Sequence, residues 1–381
     1  MEKTVAVLGA TGSVGMQALD VARKRGFKVD FISANKSVKE TEAIVRSFKP
    51  RLVAMADEAA ARDLKARLRD TDVKLLSGKE GVLSGIAETC AEVVVNSIIG
   101  EAGLMPTLSV IDSGKRLALA NKESLVIAGD IVMKRARERG VEIIPVDSEH
   151  SAIFQSLKAG KSREIKRIIL TASGGPFFGK SREGLKAVTL ADTLSHPTWK
   201  MGKKITVDSA TLMNKGFEVI EAAHLFGVSA EKINVVVHPE SILHSAVEYI
   251  DNTVIGELSV PDMRACVQYA IDYPERCESV IDELDLFKVG TLSFKRPDLE
   301  AFPLLSLAFS AMKLGGAMPA ILNAADEVAV ARFLNGEIGF SKISEIVIET
   351  FNKMSSSLGS YTVEELIEKD REARKISKEM R

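Results

Sequence analysis

Short apolar runs alternate with amphipathic stretches along the first 147 residues, and this alternation constrains the fold more than any other feature. The apolar runs include "TVAVLGA", "VDFISA", "RLVAMA", "AEVVVNSI", "RLALAN" and "VEIIPV", each of a length suited to a buried strand. Stretches with helical spacing, such as "VGMQALDVARKRG" and "SVKETEAIVRSFK", lie between them. This order is typical of βαβ units on a parallel sheet. The sequence therefore predicts a Rossmann-type domain over residues 1–147.

The rest of the chain changes character twice. Residues 148–277 combine the apolar runs "RIILTASGG", "INVVVH" and "TVIGELSV" with a helix expected from about residue 210, which predicts an α+β domain. Residues 278–300 include "DLFKVGTLSFKRPDLE" and are predicted to be an irregular connector. Residues 301–381 carry helix-period apolar spacing, which predicts a C-terminal helical bundle. The predicted fold class is thus α/β, with a parallel sheet, a central α+β domain and a helical C-terminus.

Composition excludes several partners. The 381 residues contain 51 Lys and Arg and 52 Asp and Glu, so no global basic field would draw the chain to nucleic acid or to an anionic membrane. The first residues lack the features of a signal peptide, and no uninterrupted apolar run approaches about 18 residues. Cys90, Cys266 and Cys277 are scattered and lack metal-ligand spacing, so buried or incidental thiols are expected. Together these features predict a cytoplasmic location.

The stretch "VAVLGATGSVG" places Gly9, Gly12 and Gly15 between a predicted strand and a predicted helix. Glycines at this point allow a tight turn and bring backbone N–H groups close to a pyrophosphate at the helix N-terminus. Thr11 and Ser13 add hydroxyl donors. The pattern indicates a dinucleotide site, and the alternative is a glycine turn that binds no phosphate.

The end of the second predicted strand bears on the choice between NAD and NADP. An acidic residue there would hold the ribose 2′-hydroxyl of NAD, but Asp30 begins "DFIS" rather than ending it. The strand ends instead in Asn35, Lys36 and Ser37, whose lysine and neutral donors suit the 2′-phosphate of NADP. The alternative for Lys36 is a solvated charge at the start of a helix.

Two carboxylates lie close together in "EIIPVDSEHSAIFQ", behind a short apolar run. If the chain stays extended, Asp147 and Glu149 point the same way, and a divalent cation would offset their repulsion. The alternative is a helix start with Ser148 as its N-cap. A third carboxylate, Glu218, would share a helix face with Asn214, and the three carboxylates would suit Mg²⁺ or Mn²⁺ better than zinc. Taken alone, Glu218 fits a surface glutamate better than a metal ligand.

Hydroxyl, amide and ammonium groups that could bind a phosphate dianion occur in the same part of the chain. They are Ser173, Ser209, Asn214 and Lys215. Each of them taken alone is better explained as a turn residue, an N-cap or a surface charge, and only their combination favours a phosphate site. The loop "SHPTWKMGKK" carries His196 and Trp199 and could close over a small anionic ligand, or could be an ordinary surface loop. In "ANKESLV", Lys122 and Glu123 follow another predicted strand, where a plain helix-start pair is the alternative.

The chain resembles the 1-deoxy-D-xylulose 5-phosphate reductoisomerase family in motifs that occur in the family's order along nearly its whole length: "GATGSVG", "ANKESLV", "PVDSEHSAIFQ", "TASGGPF", "HPTWKMGKKITVDSATLMNKGFEVIEA", "HPESILHS", "PDMR" and "LNAADE". The resemblance implies an NADPH-dependent oxidoreductase that uses Mg²⁺, Mn²⁺ or Co²⁺. Such an enzyme converts 1-deoxy-D-xylulose 5-phosphate into 2-C-methyl-D-erythritol 4-phosphate for non-mevalonate isoprenoid synthesis. It also implies a homodimer that phosphonate-hydroxamates such as fosmidomycin inhibit.

The resemblance assigns roles to positions of this chain. Residues 1–147 would bind NADPH, and residues 148–277 would bind metal and substrate and form the dimer. The implied metal ligands are Asp147, Glu149 and Glu218. The implied substrate-binding residues are Lys122, Ser148, Glu149, Ser173, His196, Trp199, Ser209, Asn214, Lys215 and Glu218, of which Lys122, His196 and the metal ligands are catalytic. The implied NADPH-binding residues are Thr11, Gly12, Ser13, Val14, Asn35, Lys36, Ser37, Asn121, Glu123 and Gly202.

Two stretches depart from the family pattern. "ANKS" replaces an A-G-K-N type stretch at the adenosine end, and "HPES", with Glu240, stands where H-P-Q-S is common. Other classes fit less well, because Cys90 precedes a predicted strand instead of lying in an exposed loop, and no tyrosine starts a Y-x-x-x-K motif. A non-catalytic NADP(H)-sensing Rossmann regulator remains the alternative, although it would have no use for three carboxylates and a phosphate site.

Overall fold

The computed structural model describes residues 3–199 and 201–380, so that Lys200, in the predicted lid, lies outside the described residues. The chain forms two compact units. The first comprises Met1–Ser124, Val132–Ser151 and Asp262–Asp282, and the second comprises Leu125–Ile131, Ala152–Pro261 and Glu283–Arg381. These units divide the chain at places other than residues 147, 277 and 300, and the predicted four-part division stays a prediction.

The strands belong to two sheets. The first contains β1 (Thr4–Leu8), β2 (Lys28–Ala34), β3 (Leu52–Met55), β4 (Lys74–Ser77), β5 (Val93–Asn96), β6 (Arg116–Leu119) and β7 (Ile143–Pro145). The second contains β8 (Ile165–Ala172), β9 (Ile233–Val237), β10 (Leu243–Tyr249) and β11 (Val254–Leu258).

The helices alternate with the strands and then continue alone to the C-terminus. They are α1 (Ser13–Arg25), α2 (Val38–Phe48), α3 (Glu58–Arg67), α4 (Gly78–Glu88), α5 (Leu104–Asp112), α6 (Glu123–Arg139), α7 (Ser148–Ser156), α8 (Leu190–Thr193), α9 (Lys203–Ala210), α10 (Met213–Phe226), α11 (Arg264–Asp272), α12 (Leu286–Val289), α13 (Pro303–Leu314), α14 (Met318–Leu334), α15 (Phe340–Lys353) and α16 (Val363–Glu379).

The first sheet has the order β4-β3-β2-β1-β5-β6-β7, and every neighbouring pair is parallel. Strands β3 and β5 are buried along their whole length, as expected for a parallel sheet with helices on both faces. The order reverses between β1 and β5, and ligands of doubly wound folds bind at the carboxyl ends of strands near such a point. The predicted Rossmann-type sheet is therefore confirmed.

The apolar pattern missed β4 and α4. Strand β4 lies at the edge of the sheet and is only partly buried, so its residues lack a strong apolar signal. Helix α4 contains three glycines, which weaken helix propensity. A Cβ added at Gly85 would lie 2.3 Å from the Phe31 ring, and one at Gly81 would lie 3.0 Å from the backbone of Leu76. These glycines allow α4 to pack closely against the sheet.

The second sheet has the order β11-β10-β8-β9. Strand β10 is antiparallel to both β8 and β11, whereas β8 and β9 are parallel, which confirms the expected α+β character of this region. The residues predicted to be a connector contain α12, and Lys295 forms a bridge to Val237. Strand β11 is an edge strand and is mostly exposed.

Helices α13 to α16 form the predicted C-terminal bundle. Helix α14 is its centre, because it packs against α13, α15 and α16 and is buried on most of its surface, Asp326 included. Within the described residues, no helix combines the length and apolar content that crossing a membrane requires. All three cysteines are free thiols, as expected. The expectation that Cys90 does not lie in an exposed loop is wrong, because it is exposed in the segment between α4 and β5.

Candidate active site

The glycine turn links β1 to α1. Gly9 has φ +76°, and a Cβ added there would lie 2.8 Å from the carbonyl oxygen of Ser97. A Cβ at Gly15 would lie 2.3 Å from the Gly9 carbonyl oxygen. The first turn of α1 can therefore lie this close to the glycine turn only because residue 15 has no side chain. Gly12 is extended and immediately precedes α1. The N-terminal N–H groups of a helix lack intrahelical partners and suit an anion, so Thr11, Gly12, Ser13 and Val14 occupy the place where a pyrophosphate would bind.

The residues at the end of β2 are accessible. Asn35 and Lys36 are exposed between β2 and α2, and Lys36 Nζ lies 3.8 Å from Asp57 Oδ2. Ser37 immediately precedes α2 and makes no side-chain cap. The positive charge of Lys36 is thus held only by a long, exposed ion pair, which contributes little to stability and leaves the ammonium able to meet a ligand.

Asp30 has a structural role instead. It is fully buried, and its carboxylate accepts hydrogen bonds from Arg51, from Thr89 Oγ1 at 2.7 Å and from the backbone N–H of Cys90. These hydrogen bonds outweigh the cost of burial and lower the pKa of Asp30. The inference that Asp30 does not bind a ribose hydroxyl agrees with this arrangement.

Asn121 is buried at the end of β6, and its side-chain amide is fully engaged. Nδ2 donates to the carbonyl oxygens of Ile98 and Gly100 and to Glu123 Oε2 at 2.7 Å. Oδ1 accepts from the backbone N–H and the hydroxyl of Ser124. The amide therefore fixes the loop after β5, and Glu123 supports it by accepting a hydrogen bond from Asn121.

Asp147 occupies the N-cap of α7, because one of its oxygens accepts from the backbone N–H groups of Glu149 at 3.1 Å and His150 at 3.3 Å. Its other oxygen forms an ion pair with Lys122, and Ser148 Oγ donates to Glu149. The condition that residues 147–149 stay extended is not met, since the helix begins at Ser148. The alternative helix start is confirmed, but the cap is Asp147 and not Ser148.

Ser173 follows β8 in the second unit. Its Oγ lies 3.1 Å from His196 Nε2, which brings the "TASGGP" turn and the predicted lid together. His196 Nδ1 accepts from the backbone N–H groups of Thr198 and Trp199. Burial lowers the pKa of His196. The ring is therefore neutral at pH 7, with its proton on Nε2 and available as a donor.

Ser209 lies near the end of α9 against the same turn. A Cβ added at Gly175, which has φ +67°, would lie 2.6 Å from the Ser209 carbonyl oxygen. The turn after Ser173 thus packs directly on the backbone of Ser209, and the two predicted phosphate-binding serines belong to adjoining segments. Gly202 is the residue before α9, and the Trp199 ring lies 6.2 Å from the His244 ring.

Three predicted residues lie on the first turns of α10. Leu212 has φ +59° and separates α9 from α10, so α10 begins at Met213 rather than at about residue 210. Asn214 Nδ2 donates to Glu218 Oε1 at 2.6 Å, and Lys215 forms a buried ion pair with Glu218 Oε2. The expected i, i+4 relation is confirmed. The idea that Glu218 is a surface residue is wrong, because it is 1% exposed.

Glu240, the departure in "HPES", is a structural residue. Its carboxylate accepts from the hydroxyl of Ser293 at 2.6 Å and from the Ser293 backbone N–H at 3.3 Å. The neighbouring His238 ring is buried and lies 2.9 Å from the Ser293 carbonyl oxygen. Glu240 therefore fastens the segment after α12 to the turn between β9 and β10.

Sequence reasoning missed four polar residues near these segments. His150 Nδ1 lies 3.6 Å from Asp147 Oδ1, and Lys204 forms ion pairs with Asp208 and Asp326. The i, i+4 spacing of Lys204 and Asp208 could have indicated their pair. Nothing in the local sequence could have indicated Asp326, because it lies on α14 in the C-terminal bundle.

The donors assigned to the metal are all carboxylate oxygens. Asp147 and Glu149 belong to the first unit, and Glu218 belongs to the second. Hard cations such as Mg²⁺ take oxygen ligands, while zinc favours nitrogen and sulfur, so this donor set fits Mg²⁺ or Mn²⁺.

The parallel sheet and its glycine turn define a Rossmann-type dinucleotide-binding protein. Family models agree with this class. "1-deoxy-D-xylulose 5-phosphate reductoisomerase" matches residues 5–129, "1-deoxy-D-xylulose 5-phosphate reductoisomerase C-terminal domain" matches residues 143–226, and "DXP reductoisomerase C-terminal domain" matches residues 258–376.

Curated relatives and solved structures agree with the family models. The chain is 50% identical over 378 residues to 1-deoxy-D-xylulose 5-phosphate reductoisomerase of Clostridium botulinum, covering 98% of this chain and 97% of the relative. The enzyme of Acetivibrio thermocellus is 50% identical over the full length of both chains. The Zymomonas mobilis reductoisomerase in complex with NADPH superposes with a TM-score of 0.92 at 40% identity, covering 99% of this chain and 98% of that chain. This chain belongs to the 1-deoxy-D-xylulose 5-phosphate reductoisomerase family.

Proposed function

We propose that this chain converts 1-deoxy-D-xylulose 5-phosphate into 2-C-methyl-D-erythritol 4-phosphate, using NADPH and a divalent metal ion. The observation that carries the proposal is similarity to enzymes of one family along the whole chain. A solved relative, 38% identical with a TM-score of 0.93 and covering 99% of this chain and 97% of its own, is a complex with NADPH, fosmidomycin and magnesium. The chain is accordingly an NADPH-dependent oxidoreductase of isoprenoid synthesis.

Asp147, Glu149 and Glu218 are the proposed metal ligands, and their carboxylates form a candidate group for one ion. Two of them are positioned before any ion binds. The first turn of α7 fixes Asp147 through two backbone N–H groups, and Asn214 and Lys215 fix Glu218. Ligands that are already oriented lose little side-chain entropy when a cation binds.

Ser173, Ser209 and Lys215 are proposed to bind the phosphate, as expected from the sequence, and we add His196 to them in place of Asn214. His196 can donate from Nε2 without carrying a charge, because two backbone N–H groups occupy its other nitrogen. Asn214 Oδ1 is buried and accepts no hydrogen bond, so we assign it to a hydroxyl group of the substrate. Trp199 would cover the bound sugar and exclude water.

The cofactor would bind at the first unit, with its pyrophosphate at Gly12, Ser13 and Val14 and its 2′-phosphate at Asn35, Lys36 and Ser37. Lys36 is 75% exposed, and a phosphate dianion would give it a stronger partner than Asp57 at 3.8 Å. Gly202, Asn121 and Glu123 would line the nicotinamide end.

The chemistry divides between the bound groups and the chain. When bound, a divalent ion supplies Lewis-acid stabilisation of negative charge on substrate oxygens, and NADPH supplies the hydride. Lys122 and Ser148 would orient the oxygenated carbons of the sugar. The remote phosphate contacts of Ser173 and Ser209 would supply binding energy for closing the lid and excluding water. A substrate without its phosphate should then lose turnover as well as affinity.

A homodimer is proposed on the exposed surface of the second sheet. Edge strand β11 leaves Val254, Ile255 and Leu258 between 37% and 50% exposed, and Phe287 on α12 is 99% exposed. An unpaired edge strand with apolar side chains is suited to association with a second copy. Sedimentation of the full chain should give the mass of two copies, and a monomer at micromolar concentration would contradict this assignment.

A cytoplasmic location is also proposed. Cys90 and Cys277 are free and exposed, and such thiols persist in a reducing compartment. The alternative of a non-catalytic NADP(H) sensor is not favoured, because the chain belongs to an enzyme family along its whole length.

The direct test follows NADPH absorbance with 1-deoxy-D-xylulose 5-phosphate, with Mn²⁺ or with EDTA. The proposal predicts oxidation that needs both substrate and metal. Binding of NADPH without any oxidation, in the presence of substrate and Mn²⁺, would favour the regulator. Full activity in EDTA after removal of metal would contradict the metal assignment.

A further inference from the structure

Lys204, Asp208 and Asp326 form a buried charged group, here called the Lys204 cluster. Lys204 Nζ lies 2.7 Å from Asp208 Oδ2 and 3.1 Å from Asp326 Oδ2. Asp208 is 2% exposed and Asp326 is fully buried. Lys204 and Asp208 lie on α9, whereas Asp326 lies on α14, so the cluster ties α9 to the C-terminal bundle.

The two carboxyl groups of the cluster share the ammonium group of Lys204, and their oxygens have too few hydrogen-bond donors. As carboxylates, Asp208 Oδ1 and Asp326 Oδ1 accept no hydrogen bond. Burial, followed by the repulsion of Asp326, raises the pKa of Asp208 well above its usual range, and burial also raises the pKa of Asp326. One proton held between the two groups would supply the missing donor and leave the cluster neutral around Lys204.

Helix α9 links the Lys204 cluster to residues of the proposed sugar-phosphate site. Ser209 is the residue after Asp208, and the Gly175 turn that follows Ser173 packs on the Ser209 backbone. The helix also begins directly after Gly202, at the end of the loop that holds His196 and Trp199. A helix of eight residues is too short to define its own position, so its neighbours must fix it.

We propose that Asp326 is a positioning residue for the sugar-phosphate site. Together with Lys204 and Asp208 it holds α9 in place, and through α9 it sets the position of Ser209 against the Ser173 turn. This inference rests on the proposed function, because Ser209 is assigned there to the phosphate. It gives the C-terminal bundle a role beyond packing.

A purely structural role for Asp326 is unnecessary, because the bundle has abundant apolar contacts of its own. Around Asp326, α14 buries Ile321, Leu322 and Val330 completely. The position of Asp326 costs stability, since a buried acid with an unsatisfied oxygen is less favourable than an apolar side chain. A costly acid in an otherwise apolar helix is expected where it contributes to function.

The test compares Asp326→Leu and Asp326→Asn in the full chain. Asp326→Leu should lower kcat/KM for 1-deoxy-D-xylulose 5-phosphate about tenfold and leave KM for NADPH unchanged, because only the phosphate end shifts. Asp326→Asn should restore most of the loss, because an amide can donate to Asp208 as the shared proton does. Lys204→Met provides a second variant should Asp326→Leu fold poorly, and it should show the same selective loss.

Asp370 is the matched control. It is 3% exposed on α16 in the same bundle and pairs with Arg374 of the same helix at a distance of 2.5 Å. Asp370→Leu should lower the melting temperature without changing kcat/KM for the sugar phosphate.

Two results would overturn the positioning role: a kcat/KM unchanged in both Asp326→Leu and Lys204→Met, or an equal loss in Asp370→Leu. A wild-type chain that binds NADPH but never turns over the sugar phosphate with Mn²⁺ would instead overturn the proposed function itself.

Discussion

Two acidic regions of this chain use lysine in different ways. At the start of α7, every oxygen of Asp147 has a donor, from Lys122 or from backbone N–H groups, and the side chain remains 15% exposed. In the Lys204 cluster, two acids share one lysine, and both are almost completely buried. A pair of acids and a lysine therefore do not by themselves define a cation-binding site. An oriented and accessible carboxylate can meet a cation, whereas an enclosed pair can only hold structure in place.

A substitution at Asp147 tests the contrast between the two regions most strongly, because we expect it to have the largest effect on activity. Asp147→Asn should lower kcat/KM at least about a thousandfold, because a metal ligand loses its charge. Asparagine is as good an N-cap as aspartate, so the melting temperature should change little. Asp285→Asn is the control, since Asp285 caps α12 in the same way by accepting from Phe287 N at 3.0 Å. Activity above a tenth of the wild-type value in Asp147→Asn would show that Asp147 is only a cap.

Substitution of Ser209 should have an intermediate effect on kcat/KM. Ser209→Ala removes one phosphate donor and should lower kcat/KM for the sugar phosphate about tenfold. Ser195→Ala provides the control, because the Ser195 hydroxyl donates only to the Ala191 carbonyl oxygen of the exposed α8. Equal kinetics in the two variants would remove Ser209 from the phosphate site.

Substitution of His196 should have a smaller effect, which falls on the free energy of unfolding and depends on pH. Burial lowers its folded-state pKa, while the unfolded value is about 6.5. Above about pH 6.5 neither state binds the proton, so the contribution of His196 to the free energy of unfolding is fully present there. It is lost as the pH falls from about 6.5 toward the lowered folded pKa, because the unfolded state then binds the proton first.

The corresponding measurement is urea unfolding of the wild type and of His196→Gln across this range. Glutamine keeps an N–H donor but does not titrate, so the variant should lose stability less steeply on acidification. Parallel curves would mean that the His196 ring is not held neutral.

Glu240 should give the smallest effect on activity. Glu240→Gln keeps a hydrogen bond to Ser293 but loses the charge, so kcat/KM should stay within about twofold and stability should fall by about 1 kcal/mol. A large loss of activity would place Glu240 in the active site and not in the frame around it.

The regular parts of the fold could be predicted because their residues repeat at the period of a strand or a helix. β4 and α4 could not, since an edge strand needs few apolar residues and close helix packing requires the glycines that normally break helices. For the residues after β7 the sequence leaves two alternatives open. Two acids two positions apart suit an extended strand and a helix cap equally well, and periodicity cannot separate these alternatives.

The candidate site was predicted mostly from motifs. Asn214, Lys215 and Glu218 could be paired from their spacing, because neighbours on one helix face are local in sequence. The role of Asp326 could not be predicted, since its partners on α9 are distant in the chain and only the folded unit brings them together. The packing of Gly175 on the Ser209 backbone could not be predicted either, because it depends on a backbone contact and not on a side-chain pattern.

The central claim is the proposal that Asp147, Glu149 and Glu218 bind one divalent ion. The most direct measurement is the stoichiometry and affinity of Mn²⁺ binding to the wild type, to Asp147→Asn and to Glu218→Gln. We predict one Mn²⁺ per wild-type chain and a large loss of affinity in both variants. Mn²⁺ binding to Glu218→Gln as tight as that to the wild type would contradict the claim.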